Sequence, residues 1–212
     1  MAPKIKYPPF DLQLSDAVLH LHVVTDSDLA HMCAVTEEDV FEPGCPWVFP
    51  WIQADDRALS TAQFQWGLRA TNKPEDWKLS FAAYLDGEFI GSIDMRAEQF
   101  QKRRCIETGS YLLRRFQGQG LGKRMRAIVA AYAFDYLGAR EMRTAWHELN
   151  KASGGVSKAL GYEVVGHTAF GEDDRPEVHA RLVPENFIGC PNLNVAGHTP
   201  ELMSFLDAHP TP

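Results

Sequence analysis

Apolar and polar positions along this chain alternate with two different periods, and each period predicts a kind of element. Between Val18 and Val24, branched residues alternate with His20 and His22, which predicts a first strand. Thr25-Asp26-Ser27-Asp28 then offers N-cap side chains for a helix running to about Val40. The stretch from Phe41 to Trp51 is dense in proline and aromatic residues and reads as a loop. Asp55 is placed to cap a second helix reaching Ala70, with Leu59, Ala62 and Trp66 on its apolar stripe. Strand-like runs at 78–85 and 88–96 flank Asp86-Gly87, a dipeptide suited to a two-residue hairpin turn. A strand over 104–113 leads into a glycine-rich turn and a long helix that Gly138 can end after Leu137. Leu121, Met125, Ile128, Tyr132 and Tyr136 recur at helical spacing, so one face of that helix is expected to be buried. Strands over 140–147, 162–168 and 176–183 and a short helix over 150–160 complete the pattern. This order predicts an α/β fold: a mixed sheet of six to seven strands with helices on both faces.

Proline marks both ends. Residues 1–17 read as an N-terminal arm laid over the surface, 18–183 as the folded domain, and 184–212 as a C-terminal extension with one short helical turn near 201–206. Pro184, Pro191, Pro200 and Pro210 keep that extension irregular, and Phe187, Ile188, Leu193, Val195, Leu202 and Phe205 are expected to cover either the domain's own sheet or a partner subunit, a homodimer being the favoured outcome. A length of 212 residues with 45% hydrophobic content is enough for one domain with a substantial core. The net charge of -7 argues against a nucleic-acid or anionic-membrane surface. No apolar run approaches the roughly 20 residues that span a bilayer. Met1 to Pro9 lacks the apolar core of an export signal, so a cytoplasmic protein is expected. Cys33, Cys45, Cys105 and Cys190 form no C-x-x-C pair, which predicts reduced thiols and no metal site.

The most informative stretch is Arg115-Phe116-Gln117-Gly118-Gln119-Gly120-Leu121-Gly122 between a strand and a helix. Glycines let a backbone turn tightly and approach a ligand without Cβ obstruction. N–H groups at the start of a helix have no intrahelical acceptor, and the helix dipole makes that end attractive to a phosphate. Lys123, Arg124 and Arg126 add positive charge in the first turns, where it disfavours the helix unless an anion compensates. A Walker loop would need a hydroxyl residue after Gly122-Lys123, and a dinucleotide fingerprint would follow the first strand of a parallel sheet; neither condition is met.

With these residues in place, the chain resembles the GNAT N-acetyltransferases, and within them the branch of ribosomal-protein N-terminal acetyltransferases. Arg115 to Gly120 matches the family's [QR]-x-x-G-x-[GA] turn, Glu107-Thr108-Gly109 stands where that branch has Glu-x-Gly, and Asn150-x-x-Ser153-x-x-Val156-x-x-x-Leu160-Gly161-Tyr162 follows its downstream pattern. The resemblance implies acetyl-CoA as the bound cofactor, with the pantetheine arm lying like an extra strand in a gap between two splayed strands. It would pair with the backbone near Tyr111, Leu112 and Leu113. Its pyrophosphate would sit on the turn from Arg115 and Gln117 through Gly118, Gln119, Gly120, Leu121 and Gly122, with Lys123 or Arg124 reaching the nucleotide phosphates. Asn150, Ser153 and Ser157 would complete the cofactor contacts. Arg114 replaces the branch's usual proline, Gly154-Gly155 interrupts the short helix, and Ser157 stands where many members carry a catalytic tyrosine.

Acetyl transfer to an amine needs a proton acceptor, a polarised carbonyl and a neutralised thiolate. Glu107 is the candidate base and Ser153 the candidate donor to the thiolate, with Ser157 in reserve, His147 as an alternative base, and the Leu112 N–H polarising the carbonyl. Cys105 is read as a core or lining residue. The acceptor pocket is expected around Trp47, Phe49 and Trp51, with Glu42 drawing in positive charge. The acceptor would be a small-molecule amine or a protein N-terminus. Two alternatives stay open: a non-catalytic acyl-CoA-binding module, and a transferase of another acyl group such as succinyl, for which Arg103, Arg104 or Arg114 would supply a cation.

Overall fold

The computed structural model describes residues 6–170, 175–190 and 192–209; residues 1–5, Pro191 and Pro210, assigned above to the arm and extension, lie outside them. Strands β1 (Gln13–Ser15) and β2 (Leu19–Val23) lead to helices α1 (Leu29–Ala34), α2 (Glu37–Val40) and α3 (Arg57–Thr71). The hairpin β3 (Asp76–Leu85) and β4 (Glu88–Glu98), a helical turn α4 (Phe100–Arg103) and β5 (Cys105–Leu112) follow. Then come α5 (Leu121–Ala131), β6 (Glu141–His147), α6 (Lys151–Ala159), β7 (Glu163–Phe170), β8 (Arg175–Leu182), β9 (Asn194–Ala196) and α7 (Pro200–Phe205). The nine strands among the described residues form one sheet in the order β7-β8-β6-β5-β4-β3-β2-β1-β9. The mixed sheet with helices on both faces is as expected, but with nine strands rather than six to seven. The two extra strands come from the arm and the extension: β1 pairs with β2 on one side and with β9 on the other. The arm is therefore part of the sheet, and its Leu12 and Leu14 are fully buried. Among the described residues no helix is long and apolar enough to cross a membrane.

Two cores flank the sheet. On one face α5, α6 and α7 cover Leu79, Phe81, Ile93, Met95, Ile106 and Met142. The extension contributes Leu202, Leu206 and Ala208 to that core, and Phe187, Leu193, Val195 and Phe205 pack against it. Ile188 is the exception and is exposed. On the other face α1 and the 41–52 loop pack over Ala82, Phe89 and Leu113. The helix α5 widens into a π turn over Tyr132–Tyr136 before Gly138 ends it at a φ of +69°.

Local chemistry corrects two helix expectations. The helix predicted from Thr25 to Val40 is two helices, because Thr36 and Asp39 form a capping box that starts α2. Asp28 does not cap α1; its buried carboxylate accepts from the Thr25 N–H and hydroxyl, His22 Nε2 and the Tyr84 hydroxyl. In α3 the cap is Asp56 rather than Asp55, and Leu59 and Trp66 are exposed while Thr61, Ala62, Gln65 and Leu68 are buried. The helix has turned a partly polar stripe inward because the sheet beneath it presents Ser80 and Ser92, both buried. Gln65 Nε2 donates to Ser80 Oγ at 3.2 Å.

Burial alone would raise the Asp28 carboxyl, but its hydrogen bonds outweigh that, and it titrates below the usual aspartate range. Its folded pKa being depressed, its contribution to stability is present above the unfolded aspartate pKa and is lost as pH falls below about 4. Asp28→Ala should destabilise the protein by about 2–4 kcal/mol at neutral pH, leaving buried donors unpaired. Urea midpoints for wild type and variant should converge as the pH is lowered through that window.

Candidate active site

The glycine turn begins where β5 ends. Gly118 and Gly120 take φ values of +73° and +78°, the left-handed region that side-chain-bearing residues avoid. Gly120 is the N-cap of α5, and the first helical bond runs from the Arg124 N–H to the Gly120 carbonyl at 3.0 Å. The N–H groups of Leu121, Gly122 and Lys123 precede it and are free to meet a ligand. A Cβ built on Gly118, Gly120 or Gly122 meets nothing within 4 Å, so the turn faces open space. Gln117 anchors it, donating to the Val40 carbonyl at 2.9 Å and the Leu112 carbonyl at 2.8 Å.

Beside the turn the sheet opens. The parallel pair β5–β6 is in register only at Cys105↔Glu141, Ile106↔Met142 and Glu107↔Arg143. A last tie, Thr144 Oγ1 donating to the Thr108 carbonyl at 3.2 Å, marks the apex of the gap. The Leu113 N–H bonds to Ile90 of β4 at 2.8 Å. By the alternation of an antiparallel ladder, the Tyr111 N–H also faces β4, while the N–H groups of Ser110 and Leu112 face the gap.

A cavity of about 660 Å³ joins the turn to this gap. Gln117, Gly118, Gly120, Gly122, Lys123, Asn150 and Ser153 line it together with Ser110, Tyr111 and Leu112. Asn150 caps α6, its Oδ1 accepting from the Ser153 N–H at 3.1 Å, which leaves its amide donors for a ligand. Gln119 donates to the Arg115 carbonyl, and the Leu121 side chain is buried in the core; either can meet a ligand only through its backbone.

Several residues expected at the cofactor are engaged elsewhere. Arg115 pairs with Glu88 at 2.7 Å, outside the cavity. Leu113 is buried, with its N–H committed to β4. Arg124 pairs with Asp16 at 2.6 Å, held toward the arm. Ser157 is buried beneath the cavity; its hydroxyl donates to the Ser153 carbonyl and accepts from Arg126, so its proton is not available to a thiolate. Gly154 has a reason for its place: a Cβ there would stand 3.0 Å from the Trp146 indole nitrogen.

Arg126 is not a mobile surface charge. It is 5% exposed, lines the cavity, and donates to Ser157 Oγ at 2.8 Å and Ser110 Oγ at 3.5 Å, while its Nε has no partner among the described residues. Burial pushes its pKa down. A buried cation bonded to hydroxyls, with no ion pair to a carboxylate among the described residues, is costly unless a ligand supplies the negative charge. Together with the open space above the glycines, this makes the cavity fit a polyanionic ligand.

The aromatic loop forms the cavity's other wall. Trp47 and Phe49 line it, and Trp47 stacks on His147 with ring centroids 5.4 Å apart. His147 is held further by the Leu149 N–H donating to its Nδ1. Trp51 stands behind the lining, against Phe49 and Tyr111. Glu42 is paired with Arg114 at 3.1 Å. Cys105, half-buried, has its thiol pushed up to about 11 by burial, which makes it a poor nucleophile.

A second depression, a trough of about 890 Å³, crosses the sheet face under α3. In-register partners place Arg96, Glu107, Arg143 and Arg181 in one row across it, and Asp94 opposite Gly109 in the next row toward the gap. Glu107, exposed and at the last position where β5 pairs with β6, stands at the outer row, below the apex of the gap. Asp94 was not among the residues expected from sequence, although Ser92, Asp94 and Arg96 alternate onto the same face as Glu107, and that period was legible. Arg126 was expected only as part of a basic cluster.

The comparisons with known proteins agree with this geometry. Residues 19–163 match the acetyltransferase (GNAT) domain family. RimJ of Mycobacterium smegmatis, solved in complex with CoA-disulfide, is similar with a TM-score of 0.68 and 18% identity over 84% of this chain and 90% of that one. A GNAT-family acetyltransferase from Bacillus anthracis gives 0.63 and 15% over 82% and 99%. A spermidine N-acetyltransferase SpeG chimera from Vibrio cholerae and hSSAT gives 0.60 and 12% over 78% and 95%. With the glycine turn, the strand gap and a domain match over 19–163, the chain belongs to the GNAT family of acetyl-CoA-dependent acetyltransferases.

Proposed function

We propose that the protein moves the acetyl group of acetyl-CoA directly onto a primary amine, of a small molecule or a protein N-terminus. The observation that carries this reading is the pairing of two spaces around one gap. An anion-binding cavity lies at the open end of the gap, and a carboxylate-bearing trough reaches the same strand, β5, further back along it. Acetyl-CoA supplies the activated thioester. The turn from Gln117 to Gly122 and Lys123 holds its diphosphate, Asn150 and the backbone of Ser110 to Leu112 hold its arm, and the Leu112 N–H polarises the carbonyl. Ser153, on the cavity wall, donates a hydrogen bond toward the leaving sulfur. Glu107, at the trough mouth, draws in the cationic acceptor.

The test is release of free thiol with acetyl-CoA and a broad panel of amines, the product identified by mass. Turnover with at least one amine is expected; tight binding without turnover across the panel would favour a non-catalytic acyl-CoA module. Trp47→Ala should raise the acceptor KM about tenfold, corresponding to roughly 1.4 kcal/mol of lost contact. An unchanged KM would remove the loop from acceptor binding.

One observation favours a second reading of the donor. Arg103 pairs with Glu98, Arg114 with Glu42, and Arg104 donates to the carbonyls of Leu137 and His209, so none of these three serves the acyl end. Arg126 does line the cavity and would suit an acyl group carrying its own carboxylate. Competing acetyl-CoA against succinyl-CoA in the same thiol assay decides between the donors.

A further inference from the structure

We infer that Asp94 is the group that binds the acceptor's ammonium and takes its proton, an assignment that rests on the amine acetyltransferase reading above. Its place in the sheet comes first. Asp94 faces Gly109 across β4–β5, and beyond Gly109 the next strand presents Ala145. A Cβ at Gly109 would meet nothing within 4 Å, so the trough floor between Asp94 and β6 is open. Tyr111, two residues on from Gly109 along the same strand face, lines the acyl-CoA cavity. Asp94 therefore borders the trough one row nearer the gap than Glu107 does.

Its chemistry comes second. Asp94 is only partly buried and lines the trough, and its inner oxygen, Oδ1, has no hydrogen-bond partner among the described residues. The same chain shows what a structural carboxylate looks like: Asp28 has its oxygens filled by His22, Thr25 and Tyr84. Asp94 instead sits in a polar patch that the fold has not closed. Ser80 and Lys78 face it from β3, Arg96 is on its own strand, Glu107 and Tyr111 face it from β5, and from α3 Phe64 and Leu68 line the trough while Gln65 reaches Ser80. Ser80 Oγ lies 3.3 Å from Ser92 Oγ and accepts from Gln65, while Asp94 Oδ1 stays unpartnered among the described residues. A polar network left incomplete beneath a helix is costly unless a ligand completes it. An ammonium, with three donors and a charge, supplies what the patch lacks.

Burial pushes the Asp94 carboxyl up to about 6, against the Ser80 hydrogen bond and the Lys78 charge. It is then ionised at neutral pH yet more basic than an ordinary aspartate. Burial, and next the Asp94 charge, push the Tyr111 phenol up, so Tyr111 stays neutral beside it. In the reaction, the ammonium gives one proton to Asp94, and the nitrogen lone pair attacks the thioester carbonyl carbon. The C–N bond forms, the C–S bond breaks, and the sulfur leaves with the bonding pair. The nitrogen's second proton passes to that thiolate through solvent, and Asp94 returns its own proton to water.

The experiment compares Asp94→Asn, Asp94→Glu and Glu107→Gln with wild type by the pH dependence of kcat and by calorimetry with acetyl-CoA. Because Asp94 must be ionised to act, wild-type kcat should fall as pH drops through about 6. Asp94→Asn should lose about 100-fold or more in kcat and the acidic limb with it, with acetyl-CoA affinity unchanged. Asp94→Glu should keep the limb at reduced kcat, and Glu107→Gln should keep it too. Wild-type kcat in Asp94→Asn, or a limb that disappears in Glu107→Gln instead, would overturn this assignment while leaving the amine acetyltransferase reading in place. A wild-type protein that turns over no amine would overturn both.

Discussion

Gly120→Val should leave a folded protein that binds acetyl-CoA at least about 100-fold more weakly, a loss of roughly 2.7 kcal/mol. Gly120 holds a φ of +78° at the N-cap of α5. A β-branched residue in that region costs on the order of 1–2 kcal/mol, and it escapes the strain by rotating the peptide toward negative φ. That rotation re-aims the N–H groups of Leu121 and Gly122, which the fold otherwise leaves in front of open space. If the backbone holds instead, the new side chain occupies the space where those donors converge. Either response removes phosphate binding, while a strain of this size shifts the melting temperature by only a few degrees in a domain this large. Calorimetric titration with CoA, alongside thermal unfolding, measures both. A dissociation constant within threefold of wild type would break the link between the turn and the diphosphate. Arg124→Ala is the matched control: its guanidinium is held by Asp16, so affinity should change by only a few-fold.

The features legible in the sequence were those whose physics is local. Asp86-Gly87 forces a hairpin wherever it sits, and both residues do take positive φ values. Alternating glycines before an apolar helical stripe define a turn whose N–H groups point outward. Asn150 caps α6 through a bond to Ser153 that requires only their spacing. What was not legible depends on what an element packs against. Leu59 and Trp66 made an apolar stripe by period, yet α3 buries Thr61 and Gln65, because Ser80, Ser92 and Asp94 lie beneath it on strands distant in sequence. That mismatch marks the trough. Arg126 looked equivalent to Lys123 and Arg124 in a basic cluster, but helical rotation turns Lys123 to the cavity, Arg124 to the arm and Arg126 into the protein. Ser157 aligned with a catalytic position and is instead occupied in holding Arg126. Local spacing thus located the glycine turn, and long-range pairing decided which charges lie beside it.

Removing residues 192–212 should cost the protein its fold, although none of the proposed site residues lies in that segment. The indole of Trp77, a fully buried residue of β3, donates to the Leu206 carbonyl at 2.7 Å. Leu202 and Leu206 are fully buried against Leu12, Leu14 and Trp77. Upstream of α7, β9 pairs along β1 and closes that sheet edge. Replacing either leucine by alanine should cost about 2–5 kcal/mol, so the pair alone approaches the roughly 5–15 kcal/mol that holds a typical domain together. Deletion also strips the indole of its acceptor and leaves β1 as an unpaired edge beside exposed apolar side chains, an arrangement prone to aggregate. The truncated chain should be recovered as aggregate, and Leu206→Ala should melt about 6–12 °C below wild type if it loses roughly 3 kcal/mol. Below that temperature Leu206→Ala should still bind acetyl-CoA as wild type does, since Leu206 packs beneath β3 while the glycine turn lies beyond β5. A truncated protein melting within a few degrees of the full chain would mean that the α7 contacts add little, and that the core over Trp77 is held by β1 to β4 alone.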